Sequence, residues 1–290
     1  MLFSALISGI ALGSMYGLLA LGFSITFIVS RTVNFAQGST MMLGAVITFT
    51  LWVTLGWPAP IAMVFAIVAC GAWSVLVERV AVRPFVRRGS EAWLMATVAL
   101  GLIIDNVVLF TFGREPRGLP ATWATTTMVD IAGVRVQMLQ LLIPLVGLGI
   151  AAGLTWFSRH TRQGQAMLAV VQNQAAARLM GINVEIAISA AFAISGLCAG
   201  IAGVMIAPLF TISSTMGLLF GIKAFAVAIL GGINNPWGVM VAGILYGVAE
   251  QTITASFGST YTQIATFSLV IVALALRPQG LFGRADQIKL

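Results

Sequence analysis

The sequence predicts an all-α, polytopic membrane protein with eight or nine transmembrane segments, two of them interrupted by Gly, Pro and Asn. Three observations carry that expectation. Hydrophobic residues make up 59% of the 290, with 31 glycines besides, where a soluble domain holds roughly 45–50% apolar residues, glycine included. Charged residues are 8% against about 25% usually, too few to keep the surface of a soluble enzyme this size wetted. The apolar runs are continuous over lengths near the roughly 20 residues a helix needs to cross a bilayer, whereas strands of a membrane barrel alternate apolar and polar side chains over about ten.

Taken in order, the first run begins at Leu2 and carries no charge until Arg31. It has no basic residues before it and exceeds the short apolar stretch of a cleavable signal, so it is expected to stay as an anchor. Further charge-poor runs cover 39–56, 60–77, 92–113, 138–158, 187–210, 217–231, 237–255 and 262–276. The run 217–231 is short and contains Lys223, which leaves the count at eight or nine. These runs fill the chain, so a single transmembrane domain over 1–290 is expected, with no separate soluble domain. Gly9, Gly13, Gly17 and Gly22, and again Gly196, Gly200 and Gly203, recur at spacings that let helix backbones approach closely.

Orientation follows from Lys and Arg in the short loops. Arg79, Arg83, Arg87 and Arg88 form one cluster; Arg159, Arg162 and Arg178 a second; Arg277, Arg284 and Lys289 a third. All three fall on one side if every intervening run crosses, and that side is assigned as cytoplasm. The loop 114–137, rich in Thr, Gly and Pro, then lies outside, as does the N-terminus. The net charge of +7 is spread over these loops, a topology signal rather than the one-sided basic face of a nucleic-acid binder. Cys70 and Cys198 lie inside apolar runs and give no disulfide framework. His160, the single histidine, sits between arginines and anchors no metal site.

Two polar interruptions are candidates for function. Ser30-Arg31-Thr32-Val33-Asn34-Phe35-Ala36-Gln37-Gly38-Ser39-Thr40 separates two apolar stretches with barely a loop, and Gly231-Gly232-Ile233-Asn234-Asn235-Pro236-Trp237-Gly238 does the same near the other end. At an offset of 200 they pair Asn34 with Asn234 and Gly38 with Gly238. Irregular backbone at membrane depth is tolerated only where it lines a cavity or is buried in protein, and Gly/Pro-broken segments in corresponding halves point to a transport path. Asn34, Phe35, Gln37, Gly38, Ser39, Asn234, Asn235 and Trp237 are therefore the candidate pathway residues; the alternative is two ordinary surface turns. Half-helices beginning near Gln37 and Trp237 would present amide dipoles to a solute carboxylate.

The stretch 159–185 has the pattern of an amphipathic helix on the cytoplasmic face. Met167, Val170, Val171, Ala175 and Leu179 recur at three- and four-residue spacing, and Gly181 stands where a C-terminal cap is expected. It either rests on lipid headgroups or docks a cytoplasmic partner. Asp105 and Glu250 are ionisable groups inside apolar runs, with structural and pathway roles both open. An ATP-binding loop of the GxxxxGK[ST] form needs a Gly-Lys pair, and the lysines follow Ile222 and Ile288. No nucleophile–base or paired-carboxylate arrangement is present either, so the chain is expected not to be an enzyme.

Ordered motifs over nearly the whole chain resemble the H-type permease subunit of branched-chain (hydrophobic) amino acid ABC importers. They are Leu18-Leu19-Ala20-Leu21-Gly22, Val33-Asn34-Phe35-Ala36-Gln37-Gly38, Glu78-Arg79-Val80-Ala81-Val82-Arg83-Pro84, and Thr161-Arg162-Gln163-Gly164 with Gly181-Ile182-Asn183. Gly221-Ile222-Lys223-Ala224-Phe225 running into Gly231-Gly232, Gly247-Val248-Ala249-Glu250 and Arg277-Pro278-Gln279-Gly280-Leu281-Phe282-Gly283 complete the series. The chain departs from that pattern at Gln37, where the family usually has His, and at Leu168, where it usually has Arg. The resemblance implies a multi-pass subunit of a bacterial inner membrane, partnered by a second related permease, two cytoplasmic ATPase subunits that bind the ATP, and a periplasmic solute-binding protein, with no cofactor of its own. It makes 159–185 the coupling segment, with Arg162, Gly164, Met167, Val171, Arg178 and Gly181 as contact residues. The implied solute is a branched-chain or similar small amphipathic amino acid; urea, amides or aromatic acids, an ion-coupled secondary transporter, and a non-transporting scaffold are the competing readings.

Overall fold

The structure is a computed structural model that describes residues 2–131 and 134–283; Arg284 and Lys289 of the third basic cluster lie outside the described residues. The helices are α1 (Leu2–Ser30), α2 (Gln37–Phe49), α3 (Ala59–Val77), α4 (Arg83–Arg87), α5 (Trp93–Phe112), α6 (Trp123–Thr126), α7 (Met138–His160), α8 (Arg162–Gln172), α9 (Gln174–Leu179), α10 (Val184–Ile206), α11 (Met216–Gly231), α12 (Pro236–Phe257) and α13 (Ser259–Leu276). Wider π-helical turns, Thr50–Thr54 and Glu78–Val82, continue α2 and join α3 to α4. Among the described residues, seven helices are long and apolar enough to cross a membrane: α1, the run Ala59–Arg87, α5, α7, α10, α12 and α13. The protein is thus an all-α, multi-pass membrane protein in its main architecture.

The loop 114–137 departs from the helical pattern. Strands β1 (Met128–Ile131) and β2 (Val134–Gln137) form an antiparallel pair, with Asp130 opposite Arg135 and Val129 opposite Val136. The alternation of Val129, Val134 and Val136 with polar neighbours is a period-2 signal that the loop's overall polarity masks in the sequence.

The chain packs as two compact units. One comprises Met1–Ser24, Thr122–Ala151 and Lys223–Leu290; the other Ile25–Ala121 and Ala152–Ile222. In the first, glycines let α1 and α12 close on each other: a Cβ at Gly9 would lie 2.7 Å from the Val248 Cα, and one at Gly17 2.8 Å from the Met240 sulfur. In the second, α2, α3 and α10 pack together. A Cβ at Gly200 would lie 3.0 Å from the Ile67 Cα, and one at Gly203 would fall on the Met41 carbonyl oxygen. Gly9, Gly13 and Gly17, and Gly196, Gly200 and Gly203, therefore sit where backbones meet, the close approach that replaces hydrophobic driving force inside a bilayer.

The single helix expected over 159–185 is two. Thr161 caps α8, its hydroxyl accepting the Gly164 N–H at 3.0 Å. Asn173 leaves the helix at φ −158° and ψ 109° and accepts the N–H groups of Ala175 and Ala176, capping α9. An Asn side chain offers the backbone this local alternative to a continued helix. Gly181, at φ 79°, turns the chain as the sequence requires, and Asn183 caps α10 by accepting from Glu185 and Ile186.

Candidate functional site

The first interruption is a helix break sealed inside its own unit. α1 ends at Ser30, Arg31 takes a left-handed φ of 57°, and the chain runs unwound until α2 begins at Gln37. Residues 32–34 and 36–40 are buried and Phe35 is half-buried. The Asn34 Oδ1 accepts the Ala36 N–H at 3.1 Å, while its Nδ2 is buried with no partner among the described residues. Gln37 is turned to α10: its Nε2 donates to the Ser195 carbonyl at 3.0 Å, and the Ser195 hydroxyl donates back to Oε1 at 3.0 Å. Gly38 packs backbone to backbone; a Cβ there would lie 2.7 Å from the Gly221 Cα. α5 covers the break with a stripe at four-residue spacing. The Phe35 N–H donates to the Thr97 hydroxyl at 3.4 Å, Gly101 leaves room for Ser39, and Asp105 has Ser39 as a hydrogen-bonding neighbour.

The second interruption is built differently. Gly232 at φ 84° ends α11, and Asn235 caps α12 by accepting the Gly238 N–H at 3.2 Å while its Nδ2 donates to the Phe282 carbonyl at 3.1 Å. The Leu281 N–H donates to the Leu230 carbonyl at 2.7 Å, so residues after α13 clip the turn in place. Asn234 is exposed and Trp237 is 43% exposed. The two segments that align in sequence are a buried break and a capped, partly exposed turn.

In the segment 159–185 the apolar stripe faces inward. Met167 and Val171 pack with Val170 and Ala177 against Val29, Val184, Ala187 and Ala191. Gly164 is buried where α8 crosses the end of α7: a Cβ there would lie 2.6 Å from the Ser158 Cα. Met167 and Val171 are half-buried, and the stripe that makes the helix amphipathic seats it on its own unit. Arg162, Arg178 and Gly181 are exposed, and the most outward apolar residues of the segment are Leu179 (90% exposed) and Met180 (81%) at the end of α9, with Leu168 (39%) on α8. In the sequence Leu179 falls on the apolar stripe, and nothing there marks Met180.

Two ionic clusters were not legible as such. Lys223 of α11 donates to Glu250 of α12 at 2.6 Å and to the Tyr16 hydroxyl of α1 at 3.2 Å, with both charged side chains buried. Glu250 is therefore paired, which settles its contact though the sequence left its role open. In the other unit, the Arg83 Nε and Nη2 donate to the two Glu78 carboxylate oxygens at 2.9 Å each, and Nη2 also donates to the Ser189 hydroxyl at 2.7 Å. Arg83 and Arg87 both pair with Glu185. Positions 78 and 83 are five apart, and the π-helical turn Glu78–Val82 brings them together where an ordinary helix pairs positions three or four apart. Among the described residues no His/Cys/Asp/Glu group could hold a metal.

A bundle of apolar helices, one of them unwound and buried beside an intramembrane carboxylate, defines a polytopic membrane protein of the transport class. A family model described as the branched-chain amino acid transport system permease component matches residues 5–276, and the chain belongs to that family. It is similar to the high-affinity branched-chain amino acid transport system permease protein LivH of Escherichia coli K12, at 30% identity over 98% of this chain and 96% of that one. BraD of Pseudomonas aeruginosa, with the same description, is 31% identical over 98% and 97%. The ribose import permease protein RbsC of Escherichia coli is 25% identical over 91% and 82%. A member of this family is a transport component, not an enzyme.

Proposed function

We propose that this chain is the transmembrane subunit of an ABC importer that forms, with a second related permease, the path for leucine, isoleucine, valine or a similar small amphipathic amino acid. The observation that supports the reading is the end-to-end match to permeases of branched-chain amino acid systems. Two cytoplasmic ATPase subunits bind and hydrolyse the ATP, a periplasmic binding protein delivers the solute, and the chain, lacking a Gly-Lys phosphate loop, carries no cofactor. The setting is a bacterial inner membrane. Deleting the chain from cells that hold the full system should abolish uptake of labelled leucine, isoleucine and valine; uptake lost instead for urea, amides or benzoate would place the substrate elsewhere in the family.

Residues 1–290 act as one permease domain. The seven long helices are joined by α11, whose 16 residues span about 24 Å against a core of about 30 Å, and by α2 with its π-helical turn; the crossings then number eight or nine. Asn34, Phe35, Gln37, Gly38 and Ser39 belong to the path or its wall, and burial of this unwound backbone favours that over a surface turn. Asn234, Asn235 and Trp237 are assigned to the path on the Gly/Pro-broken pattern of the second interruption. In a background without Cys70 and Cys198, a cysteine at 34 should be shielded from polar thiol reagents at rest and react during ATP turnover. One at 234 should react throughout. Equal labelling of both in every state would remove the first break from the path.

The segment 159–185 is the coupling segment, and Leu179 and Met180, with Arg178 beside them, make its contact with an ATPase. Leu179→Asp with Met180→Asp should abolish ATPase association while leaving the permease folded, since both side chains are exposed. Met167→Asp should instead lower the amount of folded permease, because it puts a charge into the inward packing. Pull-down of the ATPases and yield of monodisperse permease distinguish the two.

A further inference from the structure

The ion cluster at the corner between α4 and α10 stands next to the coupling segment, and its parts are unequal. Its outer pair, Arg87–Glu185, has side chains 61% and 42% exposed, an arrangement that solvent screens to little effect. Its inner part is a buried Glu78, 2% exposed, held by the Nε–Nη2 edge of Arg83 and by the Ser189 hydroxyl, which donates to Glu78 at 2.9 Å. A planar guanidinium engaged this way fixes direction as well as distance.

The connections of this cluster run in both directions along α10. Glu185 and Ser189 lie on its first turns, just after the Gly181 bend near the end of the coupling segment. Val184, Ala187 and Ala191, on the same turns, carry the inward stripe of α8 and α9. One turn beyond Ala191, Ser195 holds Gln37 at the start of α2 through two hydrogen bonds. Without the cluster, the base of α10 would be tied to the α3–α4 corner only by apolar packing, which permits sliding.

We propose that Glu78 and Arg83 are positioning residues that make the base of α10 and the α3–α4 corner one rigid piece, so that displacement of the coupling segment reaches the helix break at Gln37 instead of being absorbed at the Gly181 bend. This rests on the transport reading above. A motion of α8 and α9 then has a single outlet, because Ser189, bonded to both members of the bidentate pair, and Glu185, paired with Arg83, resist rotation of α10 about its own axis. The motif spacing from Glu78 to Arg83 is explained by the same requirement: the π-helical turn places the arginine where it spans from the buried carboxylate to α10.

The test uses the whole importer in lipid nanodiscs and proteoliposomes, comparing wild type with Arg83→Met, Arg83→Lys and the double variant Glu78→Leu/Arg83→Met. The readouts are ATPase association, basal ATP hydrolysis, and leucine molecules imported per ATP. The double variant removes both charges, leaving no buried ion unpaired, so it remains informative if Arg83→Met fails to fold. The expected result is association and basal hydrolysis near wild type, with import per ATP lowered about tenfold in the double variant and partly restored by Lys. Wild-type import per ATP in a double variant of normal abundance overturns the proposal, as does loss of ATPase association at normal abundance, which would make the cluster part of the docking surface. Absence of ATP-driven leucine import by the wild-type complex sinks the transport reading, and the proposal with it.

Discussion

Lys223→Met, with Glu250 left in place, should cost about 3–5 kcal/mol of stability, the usual consequence of stripping the partner from a buried ion. The Glu250 carboxylate is 9% exposed on its side chain and bonded at 2.6 Å to the ammonium it would lose. The Tyr16 hydroxyl, at 3.4 Å from the same carboxylate oxygen, is too long a hydrogen bond to carry the charge alone, and Oε2 has no partner among the described residues. Lys223 also lies 5.6 Å from the Tyr16 ring centroid, a cation–π contact that vanishes with it. Removing both charges is a different experiment. Lys223→Met with Glu250→Leu should recover most of the loss, since a buried pair replaced by apolar groups of similar volume is often neutral or better. Thermal unfolding of the purified permease in nanodiscs reads both. If the single variant is as stable as wild type, the pair is not formed in the protein.

Gly203→Val should be the most damaging single change in α10. The new Cβ would fall on the Met41 carbonyl oxygen and lie 3.1 Å from the Ala45 nitrogen, and neither is a side-chain tip that can swing aside. α2 must therefore move off α10, loosening the Gln37–Ser195 bonds and the glycine contacts above and below. Overpacking a core costs typically 1–3 kcal/mol, and a clash with main chain belongs at the top of that range, about 3 kcal/mol. Gly149→Val is the control, because nothing lies within 4 Å of a Cβ there. Yield of folded protein and its melting temperature should fall for the first and hold for the second.

The helices were legible because bilayer crossing imposes long, charge-free runs, and α5, α12 and α13 start and stop within three residues of the apolar boundaries. Gly181 was legible as a cap and takes φ 79°, while Thr161, Asn183 and Asn235, which accept the N–H groups that open their helices, were not singled out as caps. What stayed hidden depends on partners distant in sequence or on irregular geometry. Tyr16, Lys223 and Glu250 are separated by up to 234 positions, and no local pattern links them. Glu78 and Arg83 meet through a π-helical turn, outside the three- and four-residue spacing that sequence reading uses. The inward face of α8 was visible as a stripe, but a stripe alone does not say whether its own chain or a partner covers it.

The pairing of Glu250 also bears on the ion-coupled alternative. A carboxylate that follows an ion gradient must be free to release its cation, and Glu250 is held by a lysine, leaving Asp105 as the intramembrane carboxylate without an ion pair among the described residues. Asp105 sits beside Ser39 at the helix break, where Asp105→Asn should reduce leucine import without affecting assembly if the break lines the path.

The central claim is that import by this chain is driven by ATP hydrolysed on separate subunits. The direct measurement is uptake of labelled leucine by proteoliposomes holding this permease, its partner permease, the ATPase pair and leucine-loaded binding protein, with ATP on the ATPase side and no ion gradient. Uptake is expected with ATP and absent with a non-hydrolysable analogue or without the ATPases. Leucine accumulation by this chain alone under a proton or sodium gradient, indifferent to ATP, would contradict the account.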